Sequence, residues 1–199
     1  MFEFIEKVVF INLEYRLDRK SQIESELFKY FPPEKIVRFN AIKFSNGAIG
    51  CTKSHISVLE MAIKEGWKNY LVVEDDAMWS NFENGYSILE CLIKNPFDVI
   101  QLGSTYTEYD KETYKSSKAY TTTAYIVNSH YYETLLSNFK DGLNLFIENG
   151  ISSSFAIDAY MERLQRRDNW YVIVPSLMIQ RAGYSDIEKR VIDYSTQFS

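Results

Sequence analysis

Three consecutive carboxylates directly follow an apolar segment in the stretch LVVEDDA, residues 71–77. Like charges repel at this spacing, so Glu74, Asp75 and Asp76 need a physical reason to stand together. One interpretation is a solvated turn or a helix N-terminus, where negative charge is favoured. The other is a divalent cation such as Mg²⁺ or Mn²⁺, which takes carboxylate oxygens and substrate phosphates as ligands and turns repulsion into attraction.

Two further groups of residues suit the binding of phosphate. Arg16 and Arg19 follow the apolar segment 8–13, and arginine recognises phosphate through paired hydrogen bonds. The stretch GAIGCTKSH, residues 47–55, brings glycines such as Gly50 to a candidate helix start, where backbone N–H groups can hold an anion. A metal that bridges two phosphates makes a nucleoside diphosphate a good leaving group. Together these features predict the transfer of a sugar.

The elements that must position these residues alternate between strand and helix. Apolar, β-branched segments predict strands at 8–13, 36–41, 69–73, 97–102, 120–127 and 170–174. Helical spacing predicts helices at 18–30, 51–65, 81–94, from 129 onwards, and at 155–167. We expect a mobile loop at 103–118 and an irregular tail beyond Gln180. The alternation favours one domain, residues 1–199, with a three-layer α/β fold and a mostly parallel sheet.

Composition and charge exclude several other classes of protein. A formal net charge of −5 and the lack of a basic stripe argue against a nucleic-acid binder. Cys51 and Cys91 indicate no disulfide framework, and no Cys/His zinc spacing is present. There is no P-loop, no G-x-G-x-x-G after the first strand and no nucleophile elbow. Without a signal peptide or an apolar segment of membrane-spanning length, we expect a cytoplasmic protein or one inside a host cell.

Six stretches, in chain order, resemble the motifs of one enzyme family. They are INLEYRLDR (11–19), GAIGCTKSH (47–55), LVVEDDA (71–77), FDVIQLG (97–103), TAYIV (123–127) and PSLMIQRAGYSDI (175–187). The ordered set resembles glycosyltransferase family 25, which includes bacterial lipooligosaccharide galactosyltransferases and collagen hydroxylysine galactosyltransferases. This resemblance covers most of the chain and implies a GT-A fold, a nucleotide-sugar donor, usually a UDP-sugar, and a divalent ion, usually Mn²⁺.

The resemblance also implies roles for individual residues. Asp76 is the first predicted metal ligand and Glu74 or Asp75 the second. Side chains alternate along an extended chain, so Glu74 and Asp76 would point the same way and Asp75 toward the nucleotide ribose. The other predicted donor-binding residues are Asn12, Arg16, Arg19, Gly50, Ser54, His55, Thr123 and Gln180.

Two departures from the family pattern affect the predicted site. Ala48 replaces the acidic residue of the G-E-I-G-C signature, and no histidine follows His130 to act as third metal ligand. Gln180, Asp186 or water would have to fill that position.

Inversion at the anomeric carbon, generally ascribed to this family, needs a base that accepts the acceptor's hydroxyl proton. Asp158, after the Gly/Ser-rich segment 149–154, is the first candidate and Asp186 the second, although a helix-start charge also explains Asp158.

The sequence therefore predicts a metal-dependent, inverting glycosyltransferase. It would move a sugar such as galactose, glucose or N-acetylglucosamine from a UDP-sugar to a saccharide or a hydroxylysine-type side chain, with the Tyr-rich segment 105–114 as an acceptor lid. One rival is a non-catalytic or donor-hydrolysing sugar-nucleotide binder, which the altered signature motivates. A nucleotidyltransferase is another, and the missing glycine-rich pyrophosphate loop counts against it.

Overall fold

The computed structural model describes residues 1–149, 153–194 and 196–198. Its strands are β1 (Lys7–Asn12), β2 (Ile36–Asn40), β3 (Asn69–Glu74), β4 (Ala77–Trp79), β5 (Val99–Tyr109), β6 (Ser116–Asn128), β7 (Trp170–Val172), β8 (Met178–Gln180), β9 (Gly183–Ser185) and β10 (Arg190–Ile192). Its α-helices are α1 (Leu17–Leu27), α2 (Gly47–Glu65), α3 (Phe82–Leu92), α4 (Tyr132–Glu148) and α5 (Ile157–Arg167). The middle of the predicted Gly/Ser-rich segment, residues 150–152, lies outside the described residues.

The central sheet of the described chain has the order β2-β1-β3-β6-β5-β7. Strand β1 pairs in parallel with β2 and β3, and β5 pairs in parallel with β7. Strand β6 runs antiparallel to both of its neighbours, β3 and β5. All strands of this sheet except β6 therefore share one direction, which confirms the predicted mostly parallel sheet. The carboxyl ends of β2, β1 and β3 consequently meet at one edge.

Alternation along the strands divides the core into two layers of apolar contacts. Val8 and Phe10 of β1 pack with buried residues of α1 and α3 on one face of the sheet. Val9 and Ile11 pack with buried residues of α2, α4 and α5 on the other face. Successive side chains of a strand point to opposite faces, so an almost continuously apolar strand is what a sheet covered on both sides requires. The predicted three-layer α/β/α arrangement is confirmed.

Two polar segments are more ordered than predicted. The expected mobile loop 103–118 is wrong, because β5 extends to Tyr109 and β6 begins at Ser116, so the segment forms an antiparallel hairpin. The carboxylate of Asp110 accepts hydrogen bonds from the backbone N–H groups of Glu112 and Thr113 and organises the turn. The irregular tail expected beyond Gln180 is also wrong, because β9 pairs with β10.

Two helices begin differently from the prediction. Helix α2 begins at Gly47 rather than at Cys51, because the Asn46 side chain caps it by accepting from the backbone N–H groups of Ala48 and Ile49. Helix α1 begins at Leu17, one residue before the predicted start, and Asp18 lies within its first turn. Within the described residues, no helix combines the length and apolar character needed to cross a membrane.

Gly50 provides a test of the packing at the start of α2. A Cβ atom there would lie 2.5 Å from the carbonyl oxygen of Ile42, so Gly50→Ala must displace the backbone after β2. We expect a loss of about 1–3 kcal/mol in the free energy of unfolding, although alanine normally stabilises a helix more than glycine does. Chemical denaturation measures this, with Gly183→Ala as the control, since nothing lies within 4 Å of its added Cβ. Equal stability of the two variants would contradict the packing described.

Candidate functional site

A cleft of about 550 Å³ opens at the edge of the sheet where β1, β2 and β3 end. The residues after these strands, the first turns of α2 and the tail segment 184–194 form its walls. A cavity of this volume matches the usual size of small-molecule sites, and its place at the strand ends is where open α/β sheets bind ligands.

The cleft brings together most of the predicted site residues. Those that line it are Arg19, Gly50, Ser54, His55, Glu74, Asp75, Asp76, Gln180 and Asp186. Four others do not line it. Asn12 lies behind the cluster and donates from Nδ2 to Asp75 Oδ2 at 2.7 Å, and Arg16 forms an ion pair with Asp186. Thr123 is fully buried and donates to the Thr121 hydroxyl, and Asp158 lies beyond β6 on α5.

The three carboxylates do not follow the alternation expected of an extended chain. Strand β3 ends at Glu74, and the chain turns at Asp75 and Asp76. Asp75 and Asp76 consequently share one partner, Arg19, whose Nη1 lies 2.8 and 3.0 Å from their carboxylate oxygens. Glu74 has different partners and accepts from Thr122 Oγ1 at 2.6 Å and from Gln180 Nε2 at 3.0 Å. Glu74 and Asp76 were expected to point the same way because the chain was expected to stay extended. The turn at Asp75 and Asp76 removes the basis of that expectation.

The negative charge of Asp76 is not fully balanced by its neighbours in the cluster. Burial, together with repulsion from Glu74, raises the pKa of Asp76 to about 7 despite the nearby Arg19. Burial also opposes the charge of Glu74, but its contacts with His55, Thr122 and Gln180 lower the pKa of that carboxyl overall. Asp76 Oδ1 is buried and has no hydrogen-bond partner among the described residues. An oxygen-rich group with one unsatisfied oxygen fits a hard divalent cation.

The two predicted phosphate-binding arginines are already engaged by carboxylates. Arg19 pairs with the acidic cluster and also donates from Nη2 to the backbone oxygen of Tyr184 at 2.8 Å. Arg16 pairs with Asp18 and Asp186. An incoming phosphate would therefore have to compete with these carboxylates for either guanidinium.

The sequence analysis missed two lysines that line the cleft, Lys43 and Lys189. Neither forms an ion pair within the described part of the chain, and Lys43 Nζ lies 5.1 Å from the ring centre of Tyr15. Lys43 follows the end of β2, so the rule that ligands bind at strand ends could have identified it. Lys189 lies in the tail between β9 and β10, where no local pattern pointed to the cleft.

The two polar residues of the helix-start motif have structural partners. Ser54 accepts from the backbone N–H of Ile42 and donates to the backbone oxygen of Gly50, both at 2.8 Å. It thereby fixes the segment after β2 against α2. His55 Nδ1 lies 2.8 Å from the Tyr125 hydroxyl, and its Nε2 lies 3.7 Å from Glu74 Oε1. His55 therefore lies beside Glu74 at the cleft.

Asp158, the first candidate base, is held by backbone groups. Its carboxylate accepts from the N–H groups of Thr121 at 3.2 Å and Ala159 at 2.9 Å. Burial raises the pKa of Asp158, and the negative charge of Glu74 acts in the same direction. A carboxyl with a raised pKa is a stronger base than an ordinary one, as proton abstraction near neutral pH requires.

The fold is of the GT-A type, with an acidic cluster at the end of a central strand. The family model described as "Glycosyltransferase family 25 (LPS biosynthesis protein)" matches residues 17–160. The chain belongs to this family and is a glycosyltransferase. The predicted family is thereby confirmed. No curated protein matches the chain.

Solved structures support the same fold. A glycosyltransferase involved in the glycosylation of the major capsid of PBCV-1 is similar, with a TM-score of 0.58, 11% identity and coverage of 92% of this chain and 95% of that one. The mannose-1-phosphate geranyltransferase from Thermus thermophilus is similar with a TM-score of 0.51, 12% identity and coverage of 85% and 73%. At these identities the likeness shows the fold alone.

The raised pKa of Asp76 predicts how stability depends on pH when no metal is bound. The folded state holds the Asp76 proton up to about pH 7, whereas the ordinary pKa is 3.8. Stability should therefore fall as pH rises from about 4 to about 7. Asp76→Asn removes this charge and should melt at least about 2–4 °C higher than the wild type at pH 8 in a chelator.

The difference in melting temperature between Asp76→Asn and the wild type should shrink toward pH 4, where both side chains are neutral. Thermal melts across this range measure it. A variant that melts below the wild type at pH 8, or a difference that does not vary with pH, would contradict the electrostatics described.

Proposed function

We propose that this glycosyltransferase is metal-dependent, uses a UDP-sugar and transfers a hexose to a saccharide hydroxyl with inversion. A hydroxylated protein side chain is the alternative acceptor. The observation that carries the proposal is the cluster of Asp75, which is buried, and Glu74 and Asp76, which are partly buried, at the cleft, with the unpartnered oxygen of Asp76. Three adjacent carboxylates that are largely removed from water and face one arginine are unfavourable unless a further cation binds.

Glu74 and Asp76 are the proposed ligands of a divalent ion. Mn²⁺ or Mg²⁺ would neutralise the diphosphate of the departing nucleotide. Gln180 presents its amide nitrogen to Glu74, so in this arrangement it orients a ligand and does not act as one. Asp186 is occupied by Arg16 and by the Tyr15 hydroxyl, which leaves water as the proposed third ligand.

The donor nucleotide is proposed to lie between α2 and the tail. Lys43 and Lys189 are cations available to its phosphates, since neither pairs with a described carboxylate and both line the cleft. Apolar lining from Leu13, Ile42 and Phe44 suits the flat faces of a pyrimidine base. The uridine assignment rests on this lining together with what the family resemblance implies.

The acceptor is proposed to lie near Asp158, beside an aromatic surface on the β5–β6 hairpin. Tyr106 is 63% exposed, and its ring centre lies 6.2 Å from that of Tyr120. The Tyr120 hydroxyl donates to Glu162 at 2.8 Å. Rings with polar neighbours suit the apolar and hydroxyl faces of a sugar. Asp158 would accept the proton of the attacking hydroxyl, a role for which Asp186 is less suited because Arg16 neutralises it.

A panel of nucleotide sugars with and without Mn²⁺ tests the metal and the donor. We expect turnover of one UDP-sugar that requires the ion, and a loss of roughly 10²–10³-fold in Asp76→Ala, because one electrostatic stabiliser of the leaving group is removed. Glu65→Ala, an exposed carboxylate at the far end of α2, is the matched control. Mn²⁺ at 100 times its dissociation constant should also stabilise the wild type by about 2.7 kcal/mol.

Three outcomes of this panel would contradict the proposal. Turnover that is indifferent to metal and to Asp76 would remove the metal role. Donor hydrolysis without transfer to any acceptor would favour the donor-hydrolysing sugar-nucleotide binder. Release of pyrophosphate from a nucleoside triphosphate would favour a nucleotidyltransferase.

Asp158→Asn separates the proposed base from donor binding. We expect kcat to fall by about 10²–10⁴-fold, the usual contribution of general base catalysis, while the dissociation constant of the donor stays unchanged. Asp141→Asn, an exposed residue on α4, is the control. Product anomer analysis by NMR should show inversion. A retained configuration, or full activity of Asp158→Asn, would refute the assigned role.

A further inference from the structure

Three potential metal ligands of different chemistry meet on the cleft side of α2. Cys51 Sγ lies 3.9 Å and His55 Nε2 lies 3.7 Å from Glu74 Oε1, and the three atoms all lie within 4.8 Å of one another. Cys51 and His55 are four residues apart, so they share one face of the helix. All three residues line the cleft, which gives an ion a route to them.

The orientation of His55 indicates that a ligand belongs on its Nε2 atom. The side chain is 1% exposed, and Nε2 has no hydrogen-bond partner in the described chain. Its other nitrogen, Nδ1, lies 2.8 Å from the Tyr125 hydroxyl, whose oxygen can accept from Nδ1–H. A bound metal ion would select this tautomer, in which Nε2, 3.7 Å from Glu74 Oε1, carries the lone pair. Metal-binding histidines are usually oriented by such a partner on the second nitrogen.

We propose that Cys51, His55 and Glu74 form a second cation site, which takes Zn²⁺ and inhibits transfer by capturing Glu74. The inhibition rests on the proposed function, whereas the binding does not. Zinc bond lengths at tetrahedral angles require ligand atoms about 3.3–3.6 Å apart. The observed 3.7 and 3.9 Å to Glu74 Oε1 need to close by a few tenths of an ångström, and the Cys51 and His55 atoms, which lie within 4.8 Å of each other, by at most about 1 Å.

The ligand types separate this site from the one proposed for Mn²⁺ or Mg²⁺. Sulfur and imidazole ligands select zinc and related ions, whereas an oxygen-only set selects harder ions. The two sites share Glu74, so a zinc ion bound through its Oε1 atom would compete with the hard ion for this carboxylate. Three protein ligands leave the fourth zinc position open to water.

Metal binding without any donor or acceptor tests the site directly. Calorimetry should show one tight Zn²⁺ per chain, and Co²⁺ should give a sulfur-to-cobalt charge-transfer band. Cys51→Ser should abolish the band and weaken Zn²⁺ more than the roughly 10–100-fold that loss of a supporting residue costs. Cys91→Ser is the matched control, because Cys91 is an exposed free cysteine on α3, on the other side of the sheet.

His55→Gln provides a second variant in case Cys51→Ser folds poorly, and circular dichroism checks the folding of both. Zinc affinity unchanged in folded Cys51→Ser and His55→Gln, or a cobalt band lost in Cys91→Ser, would overturn the proposal. In activity assays at fixed Mn²⁺, Zn²⁺ should inhibit the wild type at lower concentration than Cys51→Ser, and equal inhibition would overturn the inhibitory role. Zinc binding as described in a protein that turns over no donor would instead refute the proposed function alone.

Discussion

The concentration of negative charge at the end of β3, largely removed from water, is the constraint on which the site depends. Arg19 is the cation that pairs directly with Asp75 and Asp76. Hydrogen bonds from neutral groups satisfy most of the remaining oxygens, but Asp76 Oδ1 is left without a partner among the described residues. Burying charge without full compensation costs stability. Such a cost is expected where the arrangement serves binding rather than folding.

The same charges also hold the tail against the cleft. Arg19 binds the backbone oxygen of Tyr184, and Arg16 pairs with Asp186. The backbone N–H of Arg181 donates to the backbone oxygen of Asp76 at 2.7 Å. Gly47 lets the tail approach α2 closely, since an added Cβ would lie 2.9 Å from the Cα of Ile187. A phosphate that drew Arg19 away from its partners would therefore also loosen the tail.

The parts of the structure that could be predicted are those with local signals. Strands β1 and β3 are apolar on both faces, so the main sheet edge could be predicted from the sequence, whereas the start of α2 was placed too late because the Asn46 cap was not recognised. The pairing of β4 with β8 joins residues about a hundred positions apart, which no local pattern encodes. The orientation of Asp75 and Asp76 depends on a turn directly after β3, and the contribution of Lys189 depends on the tail.

The fold alone does not decide which group is transferred. The similar transferase structures share only 11–12% identity with this chain, which is too low to carry over a substrate. The distinguishing feature lies in the relation between two acidic groups. Asp158 is near enough to Glu74 for the charge of one to raise the pKa of the other, although they belong to α5 and β3. Inverting sugar transfer needs a base that accepts the proton of the acceptor hydroxyl and a cation that stabilises the leaving diphosphate. These two groups act on opposite sides of the anomeric carbon. In the proposed reaction, the partly buried Asp158 would serve the acceptor and the acidic cluster would hold the cation for the diphosphate.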